Sequence, residues 1–223
     1  NFIASDMTVL LDHTKKYLLP EPGEIAVVRK DSVEMYGLDG KPIHKEVLTA
    51  DWDIGTAEKD GYPHFMLKEI HEEPDAVRRC LSPRIRDGKI QLGISGLPDD
   101  TLAQVEHIHI VACGTAMHAG LVGRYVIESV ARIPVDVDIA SEFRYCNPIL
   151  GKNDLVILIS QSGETADTLA ALRLAKQRGV HTLAIVNVPG SSIAREADDV
   201  LYTWAGPEIA VASTKAYVVQ LSV

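Results

Sequence analysis

The alternation that begins near residue 105 constrains this chain more than any other feature. Short apolar runs recur at Ile108–Ala112, Val135–Ile139, Leu155–Ile159, Leu183–Val186 and Val200–Tyr202. Most are rich in Val and Ile, as strands buried on both faces of a parallel sheet must be. Helical stretches lie between them, above all Thr115 to Arg132 and Glu164 to Arg178. In the second, Leu169, Leu172 and Ala175 recur at helical spacing with Thr168 beside them. Arg173, Lys176 and Arg178 gather toward its C-terminal end, where cations suit the helix dipole, and Gly179 is placed to end it. Repeated β–α units predict an α/β fold, a doubly wound parallel five-stranded sheet with right-handed crossovers. Ligands of such sheets bind at the carboxyl ends of the strands. The loops that matter are therefore 113–116, 160–165 and 205–214.

The first 50 residues have a different texture. Glu21-Pro22-Gly23 and Asp39-Gly40 are turn signals around the runs Ile25–Val28 and Ser32–Tyr36. They predict a β-rich hairpin region, with a strand at Phe2–Ala4 and a short helical turn from Thr8 to His13. Residues 51–66 carry glycines and a proline without periodicity and read as a linker. Leu67 to Cys80 is predicted helical, with Pro74 opening a second helical piece. Arg84 to Leu92 reads as a short strand or loop. The first residue is Asn1, and the run from Thr214 to Val223 ends without a cap, so the expectation is an internal piece of a longer chain.

Composition excludes several functions. The 223 residues carry a net charge of −9, which argues against a nucleic-acid surface. Any anionic ligand must then be held by local dipoles and hydroxyls. Cys80, Cys113 and Cys146 are too widely spaced for a disulfide framework or a Cys-x-x-Cys pair, which fits a reducing cytoplasm. No run of 18 apolar residues is present, so no membrane-spanning helix is expected.

The strongest chemical signal is Ser160-Gln161-Ser162-Gly163-Glu164-Thr165, between a five-residue apolar strand and a helix. It offers hydroxyls, backbone N–H groups and the positive end of a helix dipole, a combination suited to phosphate. Gly163 permits a close backbone approach. The Lys of a P-loop and the glycine spacing of a dinucleotide fold are absent, which points to a phosphate monoester on a small molecule. The plain alternative is that Ser162 only caps the helix.

Two further loops also precede helices. Cys113-Gly114-Thr115-Ala116 is read equally well as a tight turn beside a small buried thiol, since no local base other than His118 would activate Cys113. In Glu208 to Lys215, Ser213 or Thr214 either caps a helix or reaches a ligand. His107 and His109 alternate on a strand and share a face. No third ligand at metal spacing is visible beside them, so they read as structural. Glu72, Glu73 and Asp75 read as a solvated helix face.

The stretch Ser160-Gln161-Ser162-Gly163-Glu164-Thr165-Ala166-Asp167-Thr168-Leu169 resembles the phosphate loop of the sugar isomerase (SIS) domain. More narrowly, it resembles the glutamine–fructose-6-phosphate aminotransferase family, together with Ala140–Tyr145, Asn187–Ser192 and Glu208–Tyr217. Phe2–Asp6 and Gly23–Val28 resemble the end of that family's glutaminase domain. The resemblance implies three parts: residues 1–50 from the glutaminase domain, 51–66 as linker, and 67–223 as a truncated first SIS subdomain. It implies transfer of glutamine-derived ammonia to fructose 6-phosphate and isomerisation to glucosamine 6-phosphate, in a cytoplasmic homodimer. It implies no metal, organic cofactor, nucleic acid or membrane.

Carried over by position, Thr115, Ser160, Gln161, Ser162 and Thr165 match phosphate contacts. Val211 and Ser213 match contacts to the sugar chain. No catalytic residue falls within the stretch: the nucleophilic Cys lies before it, and the base, His and Lys lie beyond it. Ala116 stands where the family often has Ser. The alternative is a SIS module that senses a phosphosugar inside a transcriptional regulator. The acidic charge and the β-rich start without a helix-turn-helix speak against it. A nucleotide-binding α/β domain fails for lack of glycine and lysine fingerprints.

Overall fold

The computed structural model describes residues 1–4, 10, 13–49 and 59–223. They fall into two compact units, residues 1–60 and 61–223.

The first unit is made of short antiparallel strands. β1 (Lys16–Tyr17) pairs with β5 (Leu48–Thr49). β2 (Glu24–Val28), β3 (Val33–Gly37) and β4 (Pro42–Ile43) form a meander in which Ala26 faces Met35 and Met35 faces Ile43. Both predicted turns are present: Glu24 N–H donates to Glu21 carbonyl at 3.0 Å, and Gly37 N–H to Lys41 carbonyl at 2.9 Å. Residues 1–4 form no strand, because no described segment pairs with them. The expected turn at Thr8–His13 and the linker core at 51–58 lie largely or wholly outside the described residues.

The second unit opens with α1 (Phe65–Leu81), followed by a 3₁₀ turn at Ser82–Arg84. Helix α1 is continuous through Pro74, where a second piece was expected. An interior proline forfeits one helix bond and costs roughly 3 kcal/mol. The packing of Ala76 and Cys80 against Ala216 and Val219 offsets that cost. The Arg84–Leu92 region resolves into a hairpin of β6 (Ile85–Arg86) and β7 (Lys89–Ile90), followed by α2 (Asp99–Leu102).

The rest is the alternating sheet: β8 (His107–Ala112), α3 (Thr115–Val130), β9 (Val135–Ile139), α4 (Ala140–Phe143), β10 (Asp154–Ser160), α5 (Ala166–Gln177), β11 (His181–Val186), α6 (Ser192–Glu196), β12 (Asp199–Tyr202) and α7 (Lys215–Ser222). All five strands are parallel, in the order β9-β8-β10-β11-β12.

Period-two alternation sends side chains to two cores. Val111, Val156, Leu158 and Val186 meet Phe143, Leu172 and Ile193 on one face. Ile108, Ile110, Leu155, Ile157 and Ile159 form the core of the other. Helix α3 lies close on that second face through Gly120, where a Cβ would stand 2.8 Å from Ile110 Cγ2. The strand order reverses direction between β8 and β10, and that crevice is where a doubly wound sheet receives its ligand.

Candidate functional site

Two of the three predicted loops meet at the β8/β10 switch point. Cys113, Thr115 and Ala116 from the first line a cleft of about 240 Å³ with Ser160, Gln161, Ser162 and Thr165 from the second. Glu208 and Ser213 from the third loop, and Gln220 from α7, complete the wall. Val211 does not line the cleft, and its side chain is fully exposed. A hollow of about 290 Å³ lies elsewhere, against β12, lined by Arg84, Tyr202 and Trp204 among others. It lies along the outermost strand, away from the β8/β10 switch point, and brings none of the candidate residues together.

The Ser160 loop organises itself. Gly163 N–H donates to Ser160 Oγ at 3.0 Å, and Ser160 Oγ lies 3.3 Å from Thr165 Oγ1. Glu164 N–H donates to Ser162 Oγ at 3.2 Å. Gly163 has φ +68°, and a Cβ there would lie 2.0 Å from Ser191 Oγ, so the position needs glycine twice over. Gly163 carbonyl accepts from Ile193 N–H at 3.0 Å, and Glu164 Oε1 accepts from Ser192 N–H at 2.7 Å. The loop is thereby fastened to α6.

Helix α5 begins at Ala166, two residues later than the sequence pattern placed it. Its N-cap is Thr165, which makes no side-chain cap bond, and Ser162 lies three residues before it. The reading of Ser162 as a simple helix cap therefore fails. The first-turn N–H groups of α5 have no intrahelical partner and no side-chain cap. Helix α3 likewise starts at Thr115 behind an uncapped Gly114. Two helix N-termini thus bracket the cleft, each with the positive end of its dipole. Among the described residues no Lys or Arg lines the cleft, so hydroxyls, N–H groups and dipoles are what they offer an anion.

The third loop is held from outside. Buried Glu69 of α1, 3% exposed, accepts N–H bonds from Ile209 at 2.6 Å and Ala210 at 3.0 Å, and a hydroxyl bond from Thr214 at 2.8 Å. Glu208 accepts from Thr214 N–H at 2.8 Å, Ala216 N–H at 3.0 Å and Ser213 Oγ at 3.1 Å. Glu208 therefore caps α7, a task the sequence pattern gave to Ser213 or Thr214, neither of which caps it by its side chain. Buried Lys215 pairs with Glu72, which corrects the reading of Glu72 as a solvated face. Glu69, Glu208 and Gln220 were not singled out as site residues. The first two are acceptors in a strand-poor region, and only their folded positions mark them.

Ala116 is 8% exposed and belongs to the second core while also lining the cleft. Cys113 receives a weak contact from Thr168 Oγ1 at 3.9 Å, and no base lies against it among the described contacts.

At the other end of the sheet, His107 and His109 pair with Asp136 and Asp154. The rings of His107 and His109 do share a face and stack at 4.4 Å. The third group that sequence spacing did not reveal is Asp136, on the neighbouring strand β9.

A family model described as SIS domain matches residues 101–223. Glutamine–fructose-6-phosphate aminotransferase (isomerizing) of Caldanaerobacter subterraneus subsp. tengcongensis is 57% identical over 222 residues, 99% of this chain and 36% of that protein. The Clostridium tetani enzyme of the same name is 57% identical over 221 residues, with the same coverage. Among solved structures, the C-terminal domain of glucosamine-fructose-6-phosphate aminotransferase from Francisella tularensis matches with TM-score 0.69 and 48% identity, over 74% of this chain and 46% of that one. The chain thus spans about a third of the length of the curated relatives it matches.

Proposed function

The chain belongs to the SIS domain family, and from that premise we propose that it supplies the phosphosugar-binding loops of a glutamine-dependent fructose-6-phosphate aminotransferase. The single observation that carries this reading is the convergence of the 113–116 and 160–165 loops on one cleft at the switch point of the sheet. The high identity over nearly the whole chain to enzymes of that name supports it.

In this reading the phosphate sits between the N-termini of α3 and α5. Thr115, Ser160, Gln161, Ser162 and Thr165 bind it, and each bond to a charged phosphate oxygen contributes roughly 1.5–3 kcal/mol. Ser213, which lines the cleft, faces the sugar chain. Glutamine supplies ammonia through a glutaminase domain, of which residues 1–50 are the end. Residues 51–66 are the linker and 67–223 the first SIS subdomain. Fructose 6-phosphate is aminated and isomerised to glucosamine 6-phosphate by groups outside this stretch, in a homodimer in the cytoplasm. The absence of cationic side chains from the cleft favours a monoester over a polyphosphate. The regulator alternative draws support only from the shared family.

The test is calorimetry on the full-length protein with fructose 6-phosphate and with fructose. Saturable binding of the phosphorylated sugar alone is expected. Equal binding of both, or of neither, contradicts the reading.

A further inference from the structure

The amino ends of β8, β9 and β10 gather a second set of polar groups, on the far side of the sheet from the substrate loops. His109 is registered opposite Asp136 across β8 and β9, and His107 opposite Asp154 across β8 and β10. All four side chains therefore project from the same sheet face, where the His109 ring lies 6.3 Å from that of Phe143. One ring nitrogen of His107, one of His109 and a carboxylate oxygen of Asp136 lie within 4.8 Å of one another.

The local geometry is unusual for a plain His–Asp pair. His107 Nε2 is buried and lies 3.0 Å from Asp136 Oδ2, yet the alignment makes no hydrogen bond, and no other described group satisfies that nitrogen. A ring nitrogen and a carboxylate oxygen this close but poorly aligned for a hydrogen bond are two donors that a cation could join. His109, 5% exposed, has its Nε2 3.2 Å from Asp154 Oδ2, and Asp154 is fixed in turn by the Gly151 N–H at 2.6 Å. A carboxylate behind an imidazole is the arrangement that orients metal-ligating histidines.

We propose that His107, His109 and Asp136 form a binding site for a first-row divalent cation of the zinc class, clamping edge strand β9 to β8. Imidazole with carboxylate selects such ions over magnesium or calcium, which require an all-oxygen shell. Tetrahedral zinc with bonds of about 2.0–2.1 Å sets its donors about 3.4 Å apart, so closing a cluster within 4.8 Å takes a shift of at most about 1.5 Å, within reach of side-chain rotation. The Asp136 side chain is 60% exposed, which gives an ion a path in and leaves room for water as a further ligand. The strands run away from this cluster to the substrate cleft at their carboxyl ends, so the site is a brace and takes no part in the aminotransferase chemistry proposed above.

The experiment uses the full-length protein, stripped of metal with EDTA and titrated calorimetrically with Zn²⁺ and, separately, Mg²⁺, with melting temperature followed in parallel. One Zn²⁺ per chain is expected to be lost when Asp136→Asn and His107→Gln are combined. At least a tenfold loss of affinity is expected for either change alone. The control His118→Gln, on exposed α3, leaves binding unchanged. Zn²⁺ raises the melting temperature of the unmodified protein and not of the double variant, and Mg²⁺ does neither. If the metal-free double variant melts well below the unmodified protein, a His109→Gln variant, read by stoichiometry alone, replaces it. Zinc stoichiometry that is the same in the variants and the unmodified protein overturns the proposal, as does the absence of any Zn²⁺-dependent rise in melting temperature.

Discussion

Two of the loops that wall the cleft reach their conformations in opposite ways. The 160–165 loop is built from its own hydroxyls, with Ser160 and Ser162 accepting N–H bonds from Gly163 and Glu164. The 208–214 loop is held by carboxylates, Glu69 from α1 and Glu208 at the loop's own start. The side-chain bonds that shape the first loop are short-range, with α6 fastened behind it. The second depends on a residue some 140 positions away in the chain. A self-organised loop fails by local substitution, and a buttressed loop fails when its buttress is removed.

Gly163→Ala gives the largest effect. The left-handed backbone costs a Cβ about 1–2 kcal/mol, and the clash with Ser191 adds about 1–3 kcal/mol of overpacking. Thermal denaturation should show the loss, and phosphosugar binding should vanish with it. Unchanged stability and binding would mean the loop is not held as described.

Glu69→Ala strikes the other loop. Two backbone N–H groups and the Thr214 hydroxyl lose their buried acceptor, at about 1–3 kcal/mol for a group left unpaired. The expected signature is a weakened affinity for fructose 6-phosphate with inorganic phosphate binding retained, because the 160–165 loop is untouched. Equal losses for both ligands would erase the distinction between the loops.

Ala116→Ser is the smallest. A hydroxyl at this nearly buried lining position tightens fructose 6-phosphate binding by at most about 1.5 kcal/mol, and by less where water already serves the phosphate. Calorimetry on the full-length protein measures it. A clear loss of affinity would mean that the Ala116 side chain answers to the core and not to the cleft.

The same contrast explains what could be read from the sequence. Strand runs such as Leu155–Ile159 and helix periodicity around Leu172 are local, and they foretold the parallel sheet and the Ser160 loop. The order β9-β8-β10-β11-β12 is not local. It places the 113–116 and 160–165 loops side by side, and only the fold reveals it. Asp136 joins His107 and His109 through the register of β8 and β9, which no spacing along the chain encodes. Glu69 reads as one more acid on a helix until its partners at 209, 210 and 214 are seen. Pro74 misled because propensity is outweighed where α1 packs on α7.

The most direct test of the phosphate site compares Ser162→Asp with Ser162→Ala in the full-length protein, by calorimetry with fructose 6-phosphate. Alanine removes one donor among several, since the helix ends and the hydroxyls of Ser160 and Thr165 remain, so binding should weaken without disappearing. Aspartate sets a fixed negative charge beside the phosphate. At about 4 Å and an effective dielectric near 20, each charge pair is repelled by roughly 4 kcal/mol, enough to abolish millimolar binding. Aspartate can also accept the Glu164 N–H that Ser162 Oγ accepts now, so the loop fold itself should survive the change. Loss of binding in the aspartate variant, with its melting temperature retained, is the predicted result. Binding by the aspartate variant as tight as by the unmodified protein would contradict the site.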